Sequence, residues 1–255
     1  MLLAFLHACV CIGQPIEPHN YKKYSGACLS SVKFFKPGSF TFEVKASKAS
    51  GTILCAFITD FEVNRSEDYL KHLELGFELI GKQIDSIKCV AVLYGRKYHT
   101  KDVALGFDAS EKFHTYKIIQ ESNVVKWMVD GNLVFSLENE TAHQLLRPMR
   151  LFINFRPAVS HCDYEWGCIR KAALPTSAYL KYFNYAPTEG INVDPAFVFA
   201  TFPQGSKDKF KRHHAGLWQH STIDLIKGDK PSYPQKNLIF GRRFLEMQIN
   251  RDENL

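Results

Sequence analysis

The sequence lacks an apolar run long enough to cross a bilayer as a helix. Its longest apolar stretch, from Leu2 to Ile12, falls short of the roughly 20 residues that a membrane-spanning helix needs. Small residues stand at its end, at Cys11 and Gly13, so we predict a secretory signal peptide over residues 1–13, with a buried N-terminal strand or helix as the alternative. The polar C-terminus carries no lipid-anchor signal. We therefore expect a secreted, extracellular, cell-wall-associated protein without a transmembrane anchor.

The sequence also has little helical periodicity before residue 186, and its charge is modest. The formal net charge is +6, and no helix-turn-helix or zinc-finger pattern accompanies a basic face, which argues against nucleic acid as a partner. No spacing of His, Cys, Asp or Glu matches a metal site, so the sequence implies neither a metal nor an organic cofactor. The chain has 20 Phe and 11 Tyr, residues that favour strands. We expect a globular monomer.

Strand follows strand from about residue 25 to residue 185. Phe40, Phe42 and Val44 alternate with polar residues, which is the period of two that a half-buried strand shows. The dipeptide Asp130-Gly131 lies between two apolar segments and predicts a hairpin. Many short strands separated by regular turns predict an all-β sandwich of the jelly-roll type.

After Pro187 the alternation fades and Lys, Arg and His become frequent. We predict a jelly-roll domain over residues 14–186 and an irregular, basic C-terminal extension over residues 187–255. A basic cluster runs from Lys207 to His214. It is either a solvated loop or an anchor for acidic wall polymers.

Two of the seven cysteines fall inside the predicted signal peptide, and secretion would permit disulfides among the others. Cys162 and Cys168 flank a short loop and are the predicted pair. Cys28 with Cys55 is the next candidate, which leaves Cys89 as a buried thiol.

Two N-x-S/T tripeptides fit an extracellular location. They begin at Asn64 and Asn139, which we predict to be glycosylated. Such tripeptides are also common by chance.

Two glutamates interrupt the otherwise apolar segment from residue 72 to residue 81. Residues two apart in a strand share a face, so Glu74 and Glu78 point the same way as His72 and Gly76. Their Cα atoms would lie about 13 Å apart. Side chains that lean together can bring the carboxyl groups to roughly 5–6 Å, the separation that retaining glycosidases use. The alternative is a strand face with two solvated glutamates that carry no chemistry.

The segment ELGFELIG, residues 74–81, resembles the signature strand of glycoside hydrolase family 16, E-(I/L)-D-(apolar)-E followed by apolar residues and Gly. The resemblance continues upstream from Ser25 to Thr59 and covers roughly residues 24–186. Downstream it is carried by GFDASEKFHTYKII, VVKWMVDG, MRLFINF and SAYLKYFNY.

This resemblance implies a jelly roll whose concave sheet binds β-glucan or a related polysaccharide in an open groove. By position, Glu74 would be the nucleophile and Glu78 the general acid/base. The residues from His114 to Tyr116 match a segment that we interpret as structural, and the alternation around Trp127 places it in the core. The predicted substrate-binding residues are His72, Asn154, Arg156 and Trp166, with ordinary loop packing beside a disulfide as the alternative for Trp166.

The sequence departs from the family pattern at three positions. Gly76 stands in place of the central Asp that supports the nucleophile. If no other residue takes over that role, we expect the catalytic rate to fall on the order of 10²-fold. Gln120 and Arg156 stand at positions where aromatic residues are frequent in the family, so fewer rings are present on which sugars could stack. Three hypotheses follow: a retaining hydrolase or transglycosylase, a catalytically impaired carbohydrate-binding protein, and a surface protein whose basic extension is the functional part.

Overall fold

The structure is a computed structural model, and it describes residues 24–60, 72–94, 97–158, 162–163, 165–191, 218–220, 237–240 and 244–251. These residues form a sandwich of two antiparallel sheets with one short α-helix. The prediction of an all-β jelly-roll sandwich is confirmed.

Sheet 1 contains eight strands, one of which lies off its main path. Its order is β1 (Tyr24–Ser25), β17 (Leu245–Arg251), β14 (Thr176–Pro187), β3 (Gly38–Lys45), β8 (His114–Glu121), β9 (Val124–Val129) and β10 (Asn132–Glu138), and β16 (Leu238–Phe240) pairs with β17.

Sheet 2 contains seven strands. Its order is β15 (Trp218–His220), β2 (Ala27–Ser31), β11 (Arg150–Pro157), β4 (Thr52–Thr59), β5 (Glu74–Ile80), β6 (Ser86–Leu93) and β7 (Lys97–Ala104). A separate hairpin of β12 (Cys162–Asp163) and β13 (Gly167–Cys168) follows β11. Helix α1 spans Asn139–Gln144, and a 3₁₀ turn spans Lys171–Ala173.

The core lies between the two sheets and is rich in aromatic rings. Phe77 of sheet 2 meets Phe42 of sheet 1 at a centroid distance of 5.6 Å and Tyr116 of sheet 1 at 5.2 Å. Such offset and edge contacts add to the free energy of apolar burial. Because Phe77 lies on β5, these ring contacts hold the strand that carries the glutamates against sheet 1.

Sheet 1 shows the alternation that the sequence predicts. Every second residue of β8 and β9 is buried, and the others are partly exposed. The predicted hairpin is confirmed as well, since Asp130 and Gly131 both have positive φ, 47° and 85°, and join Val129 directly to Asn132. Two residues with positive φ are what a tight turn between twisted strands requires.

The region after residue 187 is not entirely irregular. Its described residues supply β15 to sheet 2, and β16 and β17 to sheet 1. Leu245, Met247 and Ile249 of β17 are buried in the shared core. The period of two in LEMQINR is the sequence signal for this strand.

Within the described ranges, no helix is both long and apolar enough to cross a membrane.

Candidate active site

Both glutamates of the predicted pair lie in β5 and face away from the shared core. Leu75 and Phe77 point into the core. The alternation of a strand therefore turns Glu74 and Glu78 to the opposite face of sheet 2, with Gly76 between them. This is the arrangement that the sequence predicts.

That face, however, is not the open groove that we expected. Glu74 is only 1% exposed and Glu78 only 2%. Around them sheet 2 carries a second apolar cluster, distinct from the shared core. Its members are Ile53, Cys55, Phe57, Ile80, Val90, Val92, Phe152, Ala158 and Trp166. Two carboxyl groups thus lie in buried and largely apolar surroundings, where charge is costly unless it is compensated.

An imidazole lies beside the predicted nucleophile. His72 Nε2 lies 3.9 Å from Glu74 Oε2, and both side chains are buried. When protonated, an imidazole at this distance favours the ionised form of the carboxyl group. Asp60 is close to the same imidazole, and it accepts a 2.7 Å hydrogen bond from the backbone N–H of Leu73. Burial raises the pKa of Asp60, against the opposing influence of that hydrogen bond and of His72.

The predicted acid/base residue lies in a row of polar side chains that crosses four strands. Asn154, Cys55, Glu78 and Lys88 are successive register partners on β11, β4, β5 and β6. The Cys55 thiol donates to Glu78 Oε1 over 3.5 Å. The side-chain oxygen of Asn154 is buried and accepts no hydrogen bond within the described part of the chain. This oxygen therefore suits a hydroxyl donor on a bound ligand.

The hairpin after β11 closes one end of this face. The Lys88 ammonium forms an ion pair with Glu165. Next to it, the guanidinium of Arg156 lies over the ring of Trp166, 4.6 Å from the ring centroid. The backbone carbonyl of Trp166 accepts a 2.8 Å hydrogen bond from the N–H of Gly51. Trp166 is thus 8% exposed and faces an arginine, which fits the loop-packing alternative, and its role as a sugar platform stays a prediction.

The glycine between the glutamates has no room for a side chain. A Cβ atom at Gly76 would lie 2.6 Å from the Cβ atom of Phe57. The ring of Phe57 stacks on Phe152 with centroids 5.3 Å apart and planes at 10°. On the other side of the strand, Trp127 Nε1 donates a 2.8 Å hydrogen bond to the Gly76 carbonyl. The backbone is therefore held on both sides, and the family's Asp does not fit here unless Phe57 shifts.

The order of the strands in the sheet determines which cysteines lie close enough to pair. Cys28 and Cys55 are thiols, so the alternative pairing considered from the sequence is wrong. Both are register partners of Asn154, because β11 runs between β2 and β4. Two strand spacings separate them by about 9–10 Å, beyond the reach of a disulfide. Cys162 and Cys168 are register partners in the hairpin, a position that suits the predicted disulfide, which stays a prediction.

Two other family-like segments serve the fold. Gln120 faces the core of sheet 1 and donates to the carbonyl of Leu145 over 2.7 Å, so it does not occupy a platform position. His114 Nδ1 lies 2.6 Å from Asp130 Oδ2, and Asp130 Oδ1 accepts 2.8 Å from the N–H of Thr115. These contacts fix the β9–β10 turn, in keeping with the structural interpretation of this segment.

Several predicted features fall outside the described residues. They are the signal peptide at 1–13, the sequon at Asn64 and the basic cluster at 207–214. The second sequon residue, Asn139, is exposed at the start of α1, and its glycosylation remains a prediction. Among the described residues, no group of three or more His, Cys, Asp or Glu side chains is arranged to hold a metal.

Four residues that shape this site escaped the sequence interpretation. Alternation within ILCAFIT, combined with pairing of β4 to β5, would have placed Cys55 and Phe57 beside the glutamates. Nothing in the sequence indicates that Glu165 reaches back to Lys88, because 77 positions separate them and a hairpin must fold over first.

Comparison with known proteins gives a matching family profile and several similar sequences. A sequence profile described as "Glycosyl hydrolases family 16" matches residues 18–166. A β-glucanase of Fibrobacter succinogenes is 28% identical over 253 residues, which covers 91% of this chain and 69% of that protein. A "Xylanase/beta-glucanase" of Ruminococcus flavefaciens is 25% identical over 163 residues, or 64% of this chain.

Among solved structures, a Bacillus licheniformis β-glucanase is similar with a TM-score of 0.54 and 19% identity, covering 68% of this chain and 96% of that one. At this identity the likeness shows the fold alone. The chain spans 19% of the Ruminococcus flavefaciens protein and 48% of a Bacillus subtilis β-glucanase.

Proposed function

Because the chain belongs to glycosyl hydrolase family 16, we propose that it cleaves or transfers β-linked glucan, with Glu74 and Glu78 as the reacting carboxyl groups. The β-glucanase names of several relatives support the substrate class. A transglycosylase with the same fold, matched at a TM-score of 0.50, supports transfer as an alternative to hydrolysis.

The proposed reaction retains the configuration at the anomeric carbon. Glu78 gives its proton to the glycosidic oxygen while Glu74 attacks the anomeric carbon, so that one C–O bond breaks and a glycosyl ester forms. Glu78, now ionised, takes a proton from water or from a sugar hydroxyl. That oxygen displaces Glu74 and releases the product.

The observation that carries this proposal is the position of the two glutamates in β5. They share one face of a strand. Phe77 and the hydrogen bond from Trp127 to Gly76 hold this strand against sheet 1. Asn154 lies two strands away in the row of Glu78, and its buried amide oxygen accepts no hydrogen bond from the described residues. Rigid strands hold such groups more firmly than loops do, which is what a reacting pair requires.

His72 takes over part of the role of the missing Asp in this proposal. It lies beside Glu74, and the crowding by Phe57 explains why the central position is a glycine. Arg156 and Trp166 would then bind sugar only after their mutual contact opens. We further propose that the protein is secreted into a cell wall or matrix, with a Cys162–Cys168 disulfide and a glycan on Asn139.

The test is turnover of mixed-linkage β-1,3-1,4-glucan, laminarin and chitin oligomers by the full chain. Glu74→Gln is expected to reduce the rate by about 10²-fold or more. The control, Glu138→Gln, changes an exposed glutamate of sheet 1 and should leave the rate unchanged. Glu74→Ala with azide and an activated aryl β-glucoside should yield the α-glycosyl azide, because azide then attacks from the face that the nucleophile vacates. Equal turnover by the parent and Glu74→Gln would refute the assignment.

A second candidate function is a carbohydrate-binding protein that has lost catalysis. Two observations favour it: the burial of both glutamates and the glycine at the central position. Binding of glucan without any product from the parent chain, over an incubation in which a family 16 β-glucanase degrades the same polymer, would select it.

A further inference from the structure

A polar pocket lies on the outward face of sheet 1, on the opposite side of the sandwich from the glutamates. Its volume is about 460 Å³, within the range of small-ligand sites. Strands β3, β8, β9 and β14 and the turn after β9 form it. Its polar and aromatic lining consists of Thr41, Thr115, Lys117, Asp130, Tyr182 and Asn184.

These groups are held in fixed positions by the sheet. Asn184, Thr41 and Lys117 are successive register partners on β14, β3 and β8. Asp130 is anchored by His114 Nδ1 and by the N–H of Thr115, at 2.6 and 2.8 Å. A ligand that lies across the strands therefore meets a pre-ordered row of hydroxyl, amide and carboxylate groups, and little entropy is lost in arranging them.

One residue that lines this pocket carries an acceptor without a hydrogen-bond donor. The side-chain oxygen of Asn184 is buried and accepts no hydrogen bond from the described residues. A buried acceptor without a donor costs about 1–3 kcal/mol. If the Asn184 amide turns toward the pocket when a ligand binds, a ligand hydroxyl that donates to its oxygen would recover this free energy.

The charges of the pocket favour a neutral ligand. Lys117 and Asp130 contribute one charge of each sign. The neighbouring pair of Lys181 and Glu43, 2.7 Å apart, is also balanced. A phosphate or a uronic acid polymer would find no surplus of positive charge here, whereas the hydroxyls of a neutral sugar can both donate and accept. The half-buried Tyr182 adds a ring of the kind on which sugars stack.

We propose that this pocket is a second glycan site, which binds a segment of neutral β-glucan on the outward face of sheet 1. The identity of the glycan rests on the proposed function; the pocket itself does not. Since the sheets of a sandwich pack about 10 Å apart, a chain bound here does not pass over Glu74 and Glu78. The site anchors polymer away from the two glutamates.

The experiment measures affinity in native gels that contain soluble mixed-linkage β-glucan or laminarin, with Glu74→Gln as the parent so that no substrate is consumed. Asn184→Ala and Tyr182→Ala are each expected to weaken retention about 10-fold, which corresponds to one lost interaction of about 1.4 kcal/mol. Lys126→Ala, a change on the same face of sheet 1 but outside the pocket, should bind like the parent.

Two further variants protect the result against misfolding. Thr41→Val keeps the shape of the side chain and removes only a hydroxyl, and Tyr182→Phe keeps the ring. Thr41→Val should weaken binding, whereas Tyr182→Phe should retain most of it. Both variants should have the same melting temperature as the parent. Retention by Asn184→Ala, Tyr182→Ala and Thr41→Val equal to that of the parent would overturn the proposal. So would a parent that binds neither polymer.

The failure of the proposed function would look different. If the native chain turns over no glucan, yet its retention depends on Asn184 and Tyr182, the anchoring site stands and the hydrolase or transglycosylase assignment falls. If turnover depends on Glu74 while the pocket variants bind normally, the reverse holds.

Discussion

Sheet 1 and sheet 2 share one core, but they differ on their other faces. Along β8 and β9 of sheet 1, buried and partly exposed residues alternate strictly. Along β4 and β5 of sheet 2, every residue is buried. The first pattern is that of a sheet with one face towards solvent. The second places ionisable side chains under cover, where a charge is costly without a compensating partner, and the ion pair of Lys88 with Glu165 supplies one such partner.

The largest effect should come from truncating matched outward positions of the two sheets. Phe57→Ala removes a ring that is stacked on Phe152 in the covered face of sheet 2. It should lower the free energy of unfolding by about 3–5 kcal/mol, as for other buried phenylalanines. Leu133→Ala, 57% exposed on β10 of sheet 1, should change it by no more than about 0.5 kcal/mol. Urea unfolding measures both, and equal costs would refute the contrast between the faces.

A smaller effect should separate the ion pairs of the two sheets. Glu165→Gln leaves Lys88, whose side chain is 8% exposed, with its positive charge uncompensated by that partner. We expect a loss of about 1–3 kcal/mol, below the value for a fully buried pair because Glu165 is 24% exposed. Glu121→Gln breaks the 2.7 Å pair with Lys126, whose side chains are 41% and 33% exposed, and should cost about 0–1 kcal/mol.

Salt provides the control for this pair of variants. Screening in 1 M NaCl should diminish the effect of Glu121→Gln and leave most of that of Glu165→Gln, because buried pairs are screened less. Thermal unfolding at low and high salt measures the change in stability that each variant causes. An identical salt response would contradict the difference in burial.

The smallest effect concerns the core that both sheets share. Burial raises the pKa of Cys89 to about 12 from its usual value of 9.0. The thiol then stays protonated in the folded state while it ionises in the unfolded chain. Its contribution to stability is complete below pH 9 and is lost as pH rises towards 12. From pH 8 to pH 10, wild type should lose about 1 kcal/mol relative to Cys89→Ala, whose unfolding lacks this linkage. If the free energy of unfolding changed with pH in the same way in both proteins, Cys89 would not be shielded from water in the folded core.

Local patterns predicted much of this molecule. Alternation defined the strands of sheet 1, and Asp130-Gly131 defined its hairpin, because both features depend on neighbours in sequence. Alternation also put Glu74 and Glu78 on one face of β5. These are short-range properties, and the structure reproduces them.

The remaining features depend on long-range packing. The order of β2, β11 and β4 separates Cys28 from Cys55, and pairing order is not encoded in any single strand. The burial of Glu74 and the contact of Arg156 with Trp166 depend on what covers sheet 2. The strand β17 was missed because its seven residues follow a long region without alternation, so its period of two carried little weight.

The hydrogen bond from Trp127 to the Gly76 carbonyl has one more consequence. It ties the backbone midway between the two glutamates to sheet 1, so the position of β5 depends on the opposite sheet as well as on its strand neighbours. A substitution far below the site that thickens the sandwich would tilt both carboxylates together. The placement of both carboxyl groups therefore depends on Trp127, a buried residue of sheet 1 that lies on the core side of β5.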